Sequence, residues 1–157
     1  AAEVQLAAEL GRTDDTARYL ARAREIIEGF ELGQSRDLVV MLEGLDAQTR
    51  GDWAAAAAAF RRALGMNADW TYLWLRLGDV ERERGRAEAA EEAYREVLRL
   101  RPAHAHAHLA LARLLTEQER TEQARPHLEA ALRIWSDAEP DFPPAEEARS
   151  LRARMSA

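Results

Sequence analysis

Apolar and polar positions follow one another along this chain with the three- to four-residue spacing of amphipathic helices. Short polar turns separate the helical stretches, and they carry residues that end or begin helices, such as Gly51, Asp52, Gly85 and Pro102. The spacing and the turns together predict an all-α protein of about nine short helices. Each of these helices has an apolar stripe that it must bury against a neighbour.

The pattern repeats along the chain with a period of about 34 residues. The small Gly78 and the aromatic Tyr94 both have counterparts one period earlier and one period later. These counterparts are Gly44 and Ala112 for Gly78, and Phe60 and Leu128 for Tyr94. A period in this range predicts a helical solenoid in which each repeat is one pair of helices.

The residue types at these positions have a physical reason. Gly78 and Ala90 are small, so the backbones of the two helices of one unit can approach closely. Tyr94 then fills the space between this unit and the next one. Gly85 is expected to end the first helix, because glycine adopts the left-handed conformation at little cost.

The unit from Thr71 to His104 resembles the tetratricopeptide repeat. The resemblance is carried by six residues at the spacing of that signature: Trp74, Leu77, Gly78, Ala90, Tyr94 and Pro102. One residue departs from it, since Glu81 stands where the signature has tyrosine, and a looser contact is expected there. The resemblance implies a right-handed α-solenoid of antiparallel helix pairs.

The length of 157 residues is that of a single domain. The register divides it into repeat units over residues 37–70, 71–104 and 105–136, preceded by a degenerate first unit over residues 1–30. A proline-rich connector then leads to a last helix over residues 143–155. We expect this helix to cap the solenoid, since terminal repeats need a polar outer face.

Composition excludes several classes of function. The chain has no cysteine, which rules out disulfides, thiolate catalysis and cysteine-ligated metals. Its net charge of -6 and the lack of a basic block argue against a general nucleic-acid binder. No apolar run is long enough to insert into a membrane, and no signal peptide is visible, so a cytoplasmic location is expected. The chain begins without methionine, which fits an excised domain or a processed product.

In tetratricopeptide-repeat proteins, the first helices of successive units line a concave groove in which ligands usually lie. By the register, the resemblance implies a ligand- or peptide-binding groove that is apolar at one end and charged at the other. Its predicted residues are Leu38, Met41, Leu42, Leu45, Tyr72, Leu75, Arg76, Asp79, His106, Leu109 and Arg113. Alternatively, the strip from Leu38 to Leu45 is covered by the N-terminal helices or by a second copy of the chain.

One variant of this family holds the C-terminal carboxylate of heat-shock chaperones with lysines and asparagines on the groove-lining helices. The corresponding positions here hold residues such as Met41, Leu45 and Arg76, and all 22 basic residues of the chain are arginine. The resemblance therefore does not extend to that ligand. Arg76, Arg82 and Arg113 can still pair with an acidic peptide; the alternative is that they are solvated and pair with Asp79, Glu83 and Glu117.

Histidines are the remaining candidates for chemistry. His104 and His108 share a helix face at a spacing that can bind a metal, but no carboxylate can be assigned as a third ligand. His108 also stands at the packing position of Trp74. There is no glycine-rich phosphate loop and no set of nucleophile and base, so neither enzyme activity nor a cofactor is expected.

The sequence therefore predicts an adaptor or scaffold that binds a protein or peptide segment in its groove. Two alternatives stay open. The first is a self-associating structural module, a homodimer formed through the apolar strip. The second is a regulatory segment of a larger enzyme.

Overall fold

The computed structural model describes residues 21, 22, 25, 36–139 and 141–155. Seven helices follow one another from residue 36 onward: α1 (Arg36–Thr49), α2 (Trp53–Met66), α3 (Thr71–Glu83), α4 (Ala87–Leu100), α5 (Ala105–Glu117), α6 (Thr121–Ile134) and α7 (Pro143–Arg154). The degenerate unit predicted over residues 1–30 lies, apart from residues 21, 22 and 25, outside the described part of the chain.

The helices pack as consecutive pairs. The most extensive packing joins α1 to α2, α3 to α4 and α5 to α6, and the pairs are linked by contacts of α2 with α3 and of α4 with α5. The last helix, α7, packs on α6 and α5. All elements in residues 36–155, residue 140 aside, are helices and turns. The predicted all-α solenoid of helix pairs is confirmed.

The turn within each pair is built in the same way three times. Gly51, Gly85 and Glu119 occupy equivalent positions and have φ angles of 72°, 70° and 62°. After each of them the next amide reaches back into the preceding helix, as in the bond of 2.9 Å that the Arg86 amide donates to the Glu81 carbonyl. This is the hydrogen-bond pattern of a Schellman motif. The helix end predicted at Gly85 is confirmed, and Glu119 adopts the same conformation without being glycine.

The two helices of a unit meet where an aromatic ring covers a glycine. A Cβ atom added to Gly78 would lie 2.4 Å from Cε1 of Tyr94, and one added to Gly44 would lie 2.4 Å from Cε1 of Phe60. Both rings are fully buried. In the unit of α5 and α6 the same two positions hold Ala112 and Leu128, which are also buried. In this unit, alanine replaces the glycine of the other two units, and the shorter leucine replaces their aromatic residue.

The structure corrects the expectation of a loose contact at Glu81. This side chain is fully buried, and its carboxylate accepts hydrogen bonds of 2.9 and 3.1 Å from Arg84 and forms an ion pair of 2.5 Å with Arg61 of α2. Between the next two pairs, Glu91 makes a two-pronged contact of 2.6 and 3.1 Å with Arg120. Carboxylates paired with arginines therefore link neighbouring units, in addition to apolar packing.

No helix among the described residues combines the length and the apolar character that a membrane crossing would need.

Replacing Gly78 with alanine is expected to lower the free energy of unfolding by about 1–3 kcal/mol, because the new methyl group overlaps the buried ring of Tyr94. The matched control is Gly65→Ala in α2, where an added Cβ meets nothing within 4 Å. This control should stabilise the chain by about 0.5–1 kcal/mol through helix propensity. Urea unfolding measures both, and equal effects of the two substitutions would contradict the packing described here.

Candidate binding groove

A groove of about 760 Å³ runs along one side of the solenoid. The helices α3 and α5 form its walls, and the beginning of α7 closes one side of it. The residues that line it come from these three helices and from the turns before α3 and α5: Asp69, Trp70, Thr71, Tyr72, Leu75, Arg76, Asp79, Arg82, Arg101, His104, His106, Leu109, Ala110, Arg113, Pro144 and Glu147.

Helical periodicity explains why these side chains meet. Four of the six groove residues of α3 are Tyr72, Leu75, Arg76 and Asp79, which are spaced as i, i+3, i+4 and i+7 and share one helix face. The same spacing on α5 brings His106, Leu109, Ala110 and Arg113 to the groove. The two helices therefore present equivalent positions of two successive repeats, as the register predicts.

A half-buried carboxyl group lies in the groove. Asp79 accepts a hydrogen bond of 2.9 Å from the hydroxyl of Tyr94, and its carboxylate is 3.7 Å from the guanidinium of Arg76. Burial raises the pKa of Asp79 above its ordinary value, against the opposing effects of Arg76 and the Tyr94 hydrogen bond. Burial and the neighbouring Asp79 also raise the pKa of Tyr94. The packing residue Tyr94 is thus connected directly to the groove.

Three arginines line the groove together with this carboxyl group. Arg76, Arg82 and Arg113 all act electrostatically on Asp79. Their Nε atoms are buried and make no hydrogen bond among the described residues. Arg82 pairs with Glu83 at 2.6 Å and with Glu117 at 3.3 Å, and Arg113 pairs with Glu147 at 2.6 Å. Because guanidinium has five donors, these few contacts leave much of the hydrogen-bonding capacity of the cluster unused.

Seven of the predicted groove residues lie together in the groove: Tyr72, Leu75, Arg76, Asp79, His106, Leu109 and Arg113. The four from α1 do not. Met41, Leu42 and Leu45 are 6%, 2% and 2% exposed and belong to the hydrophobic core, and Leu38 packs against that core. The expectation of an open apolar strip on α1 is wrong for the three buried side chains, because side chains of this chain already cover them.

Sequence reasoning missed the part of the groove that comes from turns and from α7. Arg101 and His104 lie in the turn before α5, and Pro144 and Glu147 lie in the first two turns of α7. The repeat register assigns only the first helices of units to the groove. For α7, the one available signal is the pair Pro143 and Pro144, which marks a helix start but not the surface that the helix covers.

The histidines have structural partners. The Nδ1 atom of His104 caps α5 by accepting the Ala107 amide at 3.2 Å. The rings of His108 and His127 approach to 3.0 Å between their Nδ1 atoms, and Nε2 of His108 lies 2.9 Å from the carbonyl of Pro102. The part of the chain that the structure describes holds no group of three or more side chains placed to ligate a metal.

His106 is the exposed member of the histidine group and the one that faces the groove. Its ring stands edge-on to Trp135 with 5.1 Å between centroids, and Trp135 in turn contacts Phe142 at 5.6 Å. This row of rings connects α5 with the end of α6 and with the connector before α7. The groove wall on that side is therefore supported by aromatic contacts.

A family model described as the tetratricopeptide repeat matches the chain over residues 41–102 and again over residues 75–139. Together these matches cover more than half of the chain. No curated protein sequence matches it.

Three solved structures illustrate the likeness of the fold. The TPR2B domain of yeast Sti1, solved as a TPR2B-domain:pHsp70 complex, has a TM-score of 0.71 at 16% identity over 78% of this chain and 98% of that one. A chain of the CopN-Scc3 complex has a TM-score of 0.68 at 23% identity over 80% of this chain and 74% of that one. The APC/C hetero-tetramer Cut9-Hcn1 has a TM-score of 0.74 at 25% identity over 95% of this chain and 28% of that one.

The capping role of His104 predicts a pH dependence of stability. Burial and the nearby His106 lower the pKa of His104 below 6.5. As the pH falls, the unfolded chain therefore binds a proton at this histidine before the folded chain does. The contribution of His104 to the stability of the folded state is complete above pH 6.5 and is lost as the pH falls below that value. His104→Asn keeps an acceptor for the Ala107 amide but does not titrate.

We expect His104→Asn to match the wild type in urea unfolding at pH 7.5 and to lose less stability than the wild type between pH 7.5 and pH 5.5. A residual loss is expected because burial and His108 also lower the pKa of His127. An unchanged pH dependence in the variant would contradict the assigned cap.

Proposed function

The chain belongs to the tetratricopeptide repeat family, and we propose that it is a non-catalytic adaptor whose groove between α3 and α5 binds a segment of a partner protein. The observation that carries this proposal is the composition of the groove. Tyr72 and Leu75 offer partly exposed apolar surface beside the guanidinium groups of Arg76 and Arg113, and the buried Leu109 lies beneath them. Tyrosine and arginine are the residue types that contribute most often to binding energy in protein interfaces.

The size and shape of the site support a peptide-like ligand. The groove is a channel between two helices and holds about 760 Å³, which suits a few side chains of an extended or helical segment. Structurally similar proteins were solved as complexes, among them the TPR2B-domain:pHsp70 complex of yeast Sti1 and the CopN-Scc3 complex, which supports a protein segment as the ligand. With a net charge of -6, the chain favours a protein over a nucleic acid as its partner.

The alternatives are less well supported. Self-association through the strip on α1 depended on accessible side chains, and Met41, Leu42 and Leu45 are buried within the chain. Nothing in the groove resembles a set of nucleophile and base, and its acids and arginines pair with one another. A role as the regulatory segment of a larger enzyme, and a cytoplasmic location, remain compatible with the proposed binding function.

The test is selection of binders from a library of random twelve-residue peptides with amidated C termini. Leu75→Ala should lower the affinity of the selected peptides by about tenfold, the effect expected when Leu75 is one of the few interface residues whose truncation costs more than about 1 kcal/mol. The control is Ile134→Ala, which shortens an exposed apolar side chain of α6 outside the groove and should change the affinity by less than about twofold.

Leu75 is partly buried and packs against the core, so each variant is checked by circular dichroism and urea unfolding. If Leu75→Ala does not fold, His106→Ala removes an exposed groove side chain and serves in its place. A library that yields no binder, or binders that are indifferent to both groove variants, would overturn the proposed function.

A further inference from the structure

Arginines slightly outnumber carboxylates among the residues that line the groove. Four arginines line it, Arg76, Arg82, Arg101 and Arg113, against three carboxylates, Asp69, Asp79 and Glu147. The whole chain, by contrast, has a net charge of -6. A cleft lined by an excess of one sign attracts a ligand segment of the other sign. The groove thus favours acidic side chains on its ligand.

One of the groove carboxylates comes from outside the repeat units. Glu147 lies on α7, and its Oε1 atom is 2.6 Å from the guanidinium of Arg113 on α5. The side chains of the pair are 33% and 43% exposed, for Arg113 and Glu147 respectively, so solvent and ligands can reach both. Exposed ion pairs of this kind contribute only about 0–1 kcal/mol to stability. Another carboxylate can therefore replace Glu147 beside Arg113 with only a small loss of stabilisation free energy.

Arg76, which lines the groove with Arg113, can bind the same ligand. Arg76 is 16% exposed, and among the described residues its carboxylate partner is Asp79, at an ion-pair distance of 3.7 Å. Arginine binds carboxylates in a two-pronged geometry when donors are available.

We propose that the groove selects partner segments with aspartate or glutamate side chains, and that one such carboxylate displaces Glu147 from Arg113. Glu147 is then an internal competitor that occupies the carboxylate site in the unbound chain. This inference rests on the proposed function and names the ligand class and the regulation of the same groove. Because the internal occupant is a glutamate side chain, the expected ligand group is a side-chain carboxylate.

The experiment uses the amidated peptides that wild-type protein selects from the random library. We expect these peptides to be enriched in aspartate and glutamate. Replacing the acids of a selected peptide with the corresponding amides should lower its affinity by about tenfold, the scale of a charge-assisted contact. Glu147→Gln should raise the affinity for the acidic peptide by about threefold, since a competing ion pair is removed, and should leave the amide form unchanged.

Glu129→Gln is the matched control. Glu129 pairs with Arg152 at 3.8 Å and so also joins α7 to another helix, α6, but it does not line the groove. Its side chain is 49% exposed, close to the 43% of Glu147. The control substitution tests whether loosening α7 alone changes binding, and we expect no change in affinity.

The two proposals fail in different ways. If selected peptides depend on Leu75 but are not acidic, or if Glu147→Gln behaves like Glu129→Gln, the acidic-ligand inference is overturned and the groove remains the binding site. If no peptide is selected at all, both are overturned. Acidic peptides that bind Glu147→Gln more tightly than the wild type and the control support the inference.

Discussion

The contact between a small residue and a large one inside each helix pair is the constraint on which the rest of the structure depends. Phe60 covers Gly44 and Tyr94 covers Gly78, with no room for a single added carbon atom between ring and backbone. This close approach sets the distance between the two helices of a unit, and the same contact recurs in the first two pairs. It therefore fixes how α3, which carries one wall of the groove, sits on α4.

In the unit of α3 and α4 this packing contact also reaches the groove. The ring of Tyr94 is buried against Gly78, while its hydroxyl donates to Asp79 in the groove. The aspartate is thus held by a residue whose main role is packing. The two buried carboxylates have a different environment: Glu81 and Glu91 each pair with two arginines and join neighbouring units. The arginines of the groove, in contrast, keep unused donors.

Most of the fold and about half of the site follow from the sequence. The repeat period fixes which residues of α3 and α5 share a face, and this was sufficient to place Tyr72, Leu75 and Arg113 in the groove. It did not reveal that Met41 is buried, because periodicity assigns a side chain to a helix face but does not show what covers that face. Glu147 was missed because α7 follows a proline-rich connector and has no register with the repeats.

The central claim is that the face shared by α3, α5 and the start of α7 is the binding surface. The most direct test is to map backbone amide chemical-shift changes by nuclear magnetic resonance as a selected peptide is added to isotopically labelled protein. The account predicts that the largest changes lie at groove residues such as Tyr72, Arg76, His106 and Arg113, and at Glu147. Changes concentrated on the outer faces of α4 and α6, with the groove amides unmoved, would contradict it.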